Sequence, residues 1–253
     1  MSDERALLKN RFIELAKKSY NAGIFTFTDF LGLAEQDVFE EAKAAIRPLP
    51  YTLFGGVEGT ERVMIRFGDA EELGYEIPFP IATVKVEPLS QRFADKLTHR
   101  DFLGSILNLG IERRAIGDIV IRDNVGYVFA TEDMAKYIAD SLIRIKHTDV
   151  RATVTDEVLT EGELYKTEPK RVQLSSERVD ALVAKVFALS RDDAQALFKR
   201  GLVFVSGRCI ESVSHTPRIG DVISVRGYGR MVYRGQSSTS KKGKLNVDVD
   251  LYI

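Results

Sequence analysis

Between residues 81 and 156 the apolar residues switch repeatedly between a two-residue and a helical period, and their order narrows the fold more than any other feature of the chain. Ile81–Val86 has the character of a strand. Thr98 can cap a helix, with Asp101 three residues later completing a capping-box pattern. Phe102, Leu103, Ile106 and Leu107 give that helix one apolar face, and Gly110 stands where a C-terminal cap belongs. Gly117–Arg122 and Val125–Ala130 are apolar runs separated only by Asp123-Asn124, a hairpin signal. Thr131 opens a second helix with Met134, Ile138 and Leu142 inward, and Arg151–Thr155 reads as a last strand. The order β-α-β-β-α-β is the split-βαβ or ferredoxin-like pattern. Unrelated functions share that pattern, so it sets none by itself.

The flanks make the chain α+β with three units. Residues 1–80 form an N-terminal αβ unit. A helix is expected over residues 3–21, with Leu7, Leu8, Phe12, Leu15 and Ala16 at helical spacing and Asn21-Ala22-Gly23 as the stop. A second helix carries Leu31, Val38, Phe39, Ala42 and Ile46, with Thr28 as its cap and Pro48 and Pro50 ending it. Strands near Tyr51–Phe54 and Arg62–Phe67 follow, joined by Gly55, Gly56 and Gly59. The central domain is 81–156. Residues 157–173 are polar (Glu161-Gly162-Glu163, then Glu168-Pro169-Lys170) and read as a linker or extended segment. The third unit is 174–253. An apolar content of 44% with 29% charged residues suits a folded chain. The single cysteine, Cys209, permits no internal disulfide and fits a reducing compartment. The N-terminus lacks the apolar core of a secretory signal, and no apolar run approaches membrane-spanning length, so the expected location is cytoplasmic with no membrane partner.

Charge is unevenly divided. From Lys170 to Ile253 there are 15 Lys+Arg against 8 Asp+Glu, whereas the whole chain sums to −1. A basic end on an acidic body suggests an anionic partner. Within it Val179, Leu182, Val183, Val186 and Phe187 recur at helical spacing and are core residues. Ser190 caps a second helix, with Asp193 three residues on and Ala194, Leu197 and Phe198 inward. Arg191, Gln195 and Lys199 fall at i, i+4 and i+8 and are expected on one exposed face, with Arg200 beside them. Gly201 ends the helix, Leu202–Val205 is a strand, Ser206-Gly207 a two-residue turn, and Arg208-Cys209-Ile210 the return. Pro217-Arg218-Ile219-Gly220-Asp221 turns into the strand Val222–Arg226. Gln236–Lys244 reads as a polar basic loop, and the alternation of Leu245, Val247, Val249, Leu251 and Ile253 as a half-buried strand added to the same sheet.

The residues Arg178-Val179-Asp180, Ser190-Arg191, Lys199-Arg200-Gly201, Val203-Phe204-Val205-Ser206-Gly207 and Gly220-Asp221-Val222-Ile223 resemble an S4 RNA-binding domain, with Val179 and Ser206 in place of that family's usual Leu and Asn. Two longer stretches, 99–113 (HRDFLGSILNLGIER) and 220–230 (GDVISVRGYGR), resemble one S4 family, the YlmH family of ribosome-associated proteins, and the order of units fits along nearly the whole length. The resemblance implies a central domain like an RNA-recognition motif. It also implies a non-catalytic RNA-binding role on the large ribosomal subunit still holding peptidyl-tRNA, in the rescue and quality control of stalled translation, with rRNA as partner and tRNA as a second candidate. The family is implicated in cell division too, which makes a division adaptor one alternative. An RNA-modifying enzyme of an S4-containing class is the other, although no synthetase signature or placed catalytic Asp is visible.

The candidate RNA-binding residues are Arg178, Ser190, Arg191, Gln195, Lys199, Arg200, Ser206, Arg208, Arg226 and Arg230. Cations on a helix face meet phosphates with charge-assisted bonds, and Arg also stacks on unpaired bases. Arg218 and Arg234 read equally well as solvated charge. His99, Arg100, Arg113 and Tyr127 are secondary candidates, Tyr127 because RNA-recognition motifs place stacking aromatics on their third strand. Core packing is the stronger reading for at least one of Tyr127 and Phe129. His99-Arg100-Asp101 lacks the downstream Asn and Asp-Phe-Gly of a kinase loop. The scattered histidines, His99, His147 and His215, give no metal spacing, and no phosphate-binding loop or nucleophile elbow stands in the chain. No cofactor, metal, catalytic residue or small-molecule substrate is expected.

Overall fold

The computed structural model describes residues 2–46, 49–157, 159–241 and 243–253, so Pro48 lies outside the described residues. The chain divides into two compact units, Met1–Leu164 and Tyr165–Ile253.

The first unit opens with α1 (Ser2–Ala22), β1 (Thr26–Phe27), α2 (Leu33–Ile46), β2 (Tyr51–Phe54) and β3 (Met64–Phe67), the strands forming a sheet in the order β1-β3-β2. Phe12, Phe39 and Phe67 fill the space between helices and sheet, and Phe39 meets Phe12 and Tyr51 edge-on with centroids 5.5 and 5.0 Å apart. Thr28 does not cap α2. Its hydroxyl accepts from the Ile65 backbone and donates to the Asp29 carbonyl, which ties the β1 end to β3. Leu31 bridges to Val63, and α2 starts only at Leu33, where Glu35 takes the Gly32 N–H.

After a short α3 (Ala70–Leu73) come β4 (Ile81–Pro88), α4 (His99–Leu107), β5 (Ile116–Arg122), β6 (Val125–Thr131), α5 (Glu132–Ser141), β7 (Arg144–Ile145), β8 (Thr148–Thr155) and α6 (Glu161–Leu164). The sheet is antiparallel in the order β5-β6-β4-β8-β7. Its four long strands therefore stand 2-3-1-4 in chain order, with α4 and α5 on one face. The β5–β6 turn has both Asp123 (φ 48°) and Asn124 (φ 64°) left-handed, the conformation of the turn that matches strand twist. Asn124 also accepts the Leu97 N–H and donates to the Asp95 carbonyl, which fixes the entry to α4. Phe102 on α4 is wholly buried against Gly126, where a Cβ would stand 2.2 Å from the ring.

The sheet's other face is partly covered by the N-terminal layer. Phe129 is 1% exposed and lies where a Cβ on Gly56 would be. Asp118 accepts the Glu61 and Arg62 N–H groups, and the Arg62 side chain donates to the carbonyls of Ile116, Phe30 and Arg113.

The second unit contains β9 (Thr167–Leu174), α7 (Val179–Val186), α8 (Arg191–Lys199), β10 (Val203–Val205), β11 (Arg208–Cys209), β12 (Val222–Val225), β13 (Gly229–Thr239) and β14 (Leu245–Tyr252). They form one six-stranded sheet in the order β11-β10-β12-β13-β14-β9. Helices α7 and α8 cover one face, packing on Val203, Val205, Ile223, Val225, Met231 and Val249. Of the two readings of residues 167–173, the extended segment holds and the linker does not: β9 pairs with β14 along its whole length. Only Val172 and Leu174 of this edge strand are buried, so its apolar period is too short to read in sequence. The loop expected over Gln236–Lys244 is strand as far as Thr239, where β13 runs beyond the core with polar side chains. Among the described residues no helix is long and apolar enough to cross a membrane.

Candidate nucleic-acid interface

Helix α8 and its two caps carry Ser190, Arg191, Gln195, Lys199 and Arg200 of the sequence-predicted site. Ser190 caps it: its Oγ accepts from the Asp193 N–H at 3.1 Å and donates to the Asp193 carboxylate at 2.6 Å. That hydroxyl is committed to the cap. Arg191, Lys199 and Arg200 are exposed, and among the described residues none has an ion-pair partner. The eight-residue interval from Arg191 to Lys199 sets their backbones about 12 Å apart along the axis. Lys199 and Arg200 stand at the C-terminal end, where the helix dipole favours positive charge. Gln195 is turned inward from the face expected for it. It is half-buried, and its amide donates to the Asp180 carboxylate at 3.4 Å.

Asp180 is 2% exposed and organises the neighbourhood. The Arg178 guanidinium grips it at two points, 3.0 and 2.8 Å, and the Ala181 N–H adds a third bond at 2.9 Å. Arg178 is thereby held in one orientation with its side chain 31% exposed. On the β10–β11 hairpin, Ser206 and Gly207 both have positive φ, at 48° and 83°. The Ser206 hydroxyl donates to Asp221 at 2.8 Å, so it supports the loop before β12. Arg208 is exposed on β11. Arg226 is exposed, with its guanidinium 5.2 Å from the centre of the buried Phe204 ring. Arg230 lies over Tyr252 and Tyr165, at 4.0 and 4.5 Å, on the sheet face away from α7 and α8. Arg171 and Arg234 are paired with Asp248 and Asp250, and Arg218 is exposed.

The structure thus places Arg191 and Lys199 at the two ends of α8 with Arg200 at its C-cap, and leaves Arg208 on β11 and Arg226 just after β12 exposed. It gives Ser190, Gln195 and Ser206 supporting bonds, and it stacks Arg230 on aromatic rings. Lys185 and Lys244 were not singled out in the sequence, yet they line a groove with Arg178 and Arg191. Their only signal was charge.

In the central domain His99 and Arg100 are exposed at the start of α4. The His99 imidazole is held below its ordinary pKa by loss of hydration first and the Arg113 guanidinium second, so at neutral pH it offers a hydrogen bond rather than a charge. Arg113 is half-buried, and its guanidinium donates to the Ile116 and Gly117 carbonyls. Burial and the nearby Arg62 push it down to about 10, still charged at neutral pH, in a position that joins layers of the fold. Tyr127 lies on β6 opposite Lys85 and Val120, half-exposed on the sheet face away from α4 and α5, while Phe129 is core. Among the described residues no three His, Cys, Asp or Glu side chains gather as a metal ion would need.

Residues 76–158 match the family described as "Putative RNA-binding domain in YlmH". The chain is 27% identical over 254 residues to the "Ribosome-associated protein quality control protein P2" of Bacillus subtilis (strain 168), across 97% of this chain and 94% of that protein. A solved structure, "Cell division protein ylmH from Streptococcus pneumoniae", is similar with a TM-score of 0.47 and 22% identity, covering 61% of this chain and 93% of that one.

Proposed function

We propose that this chain, related to YlmH proteins through its central RNA-binding domain and to a ribosome-associated quality control protein along almost its whole length, is an RNA-binding factor that works on the ribosome. Neither the matched domain nor that relative is named for an enzyme class. The finer reading is association with the large subunit carrying peptidyl-tRNA, in quality control of stalled translation, with rRNA as the principal contact and tRNA as a second. One observation carries it. Arg191, Lys199, Arg200, Arg208 and Arg226 are exposed without ion pairs among the described residues, whereas Arg171, Arg178 and Arg234 of the same unit are each paired to an aspartate. Unpaired cations on a rigid helix and sheet are what a phosphate backbone needs. Exposed pairs would contribute little to stability, so leaving these residues unpaired costs the fold little.

The test is co-sedimentation with large ribosomal subunits, with and without bound peptidyl-tRNA. The protein should travel with the subunits and favour those carrying peptidyl-tRNA. Arg191→Glu with Lys199→Glu should abolish association while circular dichroism stays unchanged. Undiminished association of a folded double variant would remove α8 from the interface.

A further inference from the structure

We propose that the groove between the end of β9, the flank of α7 and the start of α8 seats one unpaired nucleotide of the bound RNA, its base on the groove floor and its phosphates at the rim. The inference rests on the RNA-binding reading above and names what that interface selects.

The groove encloses about 560 Å³, within the range of sites that hold small organic ligands. Its floor is apolar: Leu174 is buried, and Ala181, Ala184 and Leu189 pack against the core of the unit. Small side chains at 181 and 184, three residues apart on α7, leave room above the helix. Ala188 closes α7 in a left-handed conformation (φ 53°), a position that glycine ordinarily takes, and Ala188 too lines the groove. The backbone strain at Ala188 is a further sign that the groove has a use.

The rim is basic. Arg178, Lys185, Arg191 and Lys244 surround the floor, and the one acidic side chain among the lining residues is Asp180. Asp180 is 2% exposed and already bonded to Arg178, the Ala181 N–H and Gln195, so it presents little negative charge to an incoming phosphate. It holds the Arg178 guanidinium at two points, and a fixed planar guanidinium whose charge is met by Asp180 is suited to stacking on a base, while the phosphate falls to Lys185, Arg191 and Lys244. Apolar floor, oriented arginine and cationic rim together match an amphipathic anion with a flat apolar part, the description of a nucleotide out of its stack. Continuity argues for RNA over a free nucleotide: Arg191 belongs both to the rim and to the α8 face, so a backbone tracking α8 arrives at the groove. A fully paired stem keeps its bases stacked inside and offers the floor nothing.

The experiment measures affinity by fluorescence anisotropy for three labelled RNA hairpins: a perfect stem, the same stem with one bulged nucleotide, and the bulged stem with that nucleotide abasic. The bulged stem should bind about tenfold more tightly than the other two. Ala184→Leu, which fills the floor, should bring the ratio towards one. The abasic comparison uses the unaltered protein, so its outcome does not depend on how the variant folds. Equal binding of all three RNAs overturns the nucleotide seat and leaves the RNA-binding reading standing. Failure to bind any of them defeats the RNA-binding reading itself, and the seat with it. Free adenosine or uridine monophosphate is titrated in parallel by NMR. Saturable binding there, without discrimination among the hairpins, assigns the groove to a free nucleotide and overturns the proposal in its RNA form.

Discussion

Which side chains are spent on the fold is decided by where the folded backbone brings their partners, near or far in sequence, and this limits what single residues reveal. Arg178, Arg191, Arg230 and Arg234 look alike along the sequence. In the structure one is clamped by Asp180, one is exposed, one is stacked on tyrosines and one is paired with Asp250. Arg113 is likewise drawn to carbonyls three and four residues along the chain. By contrast the capping signals at Ser190 and Thr98 were legible, because a helix start sets a recurring three-residue pattern between a cap and an acidic residue. At Thr98 the consequence is measurable. Asp101 accepts from the Thr98 backbone and hydroxyl and from Lys146, with the Lys146 bond and then the Thr98 bonds holding its carboxyl down at about 2. A carboxylate depressed in the folded state stabilises it above the unfolded value near 3.8, and that contribution fades as pH falls from there through about 2. NMR titration of the Asp101 side chain should give a midpoint near 2, and Lys146→Ala should raise it. An unmoved midpoint in the variant would mean that Thr98 alone sets the value.

At the scale of elements, periodic segments with strong turns were readable and weakly periodic ones were not. The hairpin around Asp123-Asn124 needs only two residues that tolerate positive φ, and the sequence displays both. Strand β9 needs β14 as a partner, and its first five residues face solvent, so nothing local announces it. Thr28 looked like a helix cap because threonine serves there, yet its hydroxyl found the β3 backbone first. Packing between elements makes a paired prediction. Phe102 of α4 is 0% exposed and fills the space above Gly126 of β6. Phe102→Ala should cost about 3–5 kcal/mol through the cavity it leaves. Gly126→Ala should cost about 1–3 kcal/mol through overpacking, because its new methyl would meet the ring. Urea unfolding of both single variants and of the double variant reads the coupling: the double should be less destabilised than the sum, since each change relieves the other. Strict additivity would mean that helix and strand do not press on each other there.

At the scale of the molecule, charge follows the division into units. Residues 1–164 carry 20 Lys+Arg and 28 Asp+Glu, whereas 165–253 carry 16 and 9, so a −8 unit is joined to a +7 unit. The uneven charge was legible in the sequence, but the place to divide the chain was not. A cut after 173 would strip β9 from β14, whereas a cut after Leu164 keeps the sheet whole. At long range the charges of the acidic and basic units largely offset in a chain of net charge −1, so a steep dependence of affinity on salt would come from cations that meet phosphates directly. If Arg191, Lys199, Arg200, Arg208 and Arg226 each meet a phosphate, log affinity should fall against log salt concentration with a slope of roughly −3.5 to −4.5, from about 0.7 to 0.9 per contact. Replacing one of them, as in Arg200→Ala, should make the slope shallower by about one. Arg234→Ala, which removes a cation already neutralised by Asp250, should leave it unchanged. The comparison separates two kinds of interface that a single affinity would confuse. An equal change in slope for both variants would mean that the field of the whole basic unit governs binding. A change for Arg200 alone would mean that phosphates are met at particular side chains, those which the fold leaves unpaired.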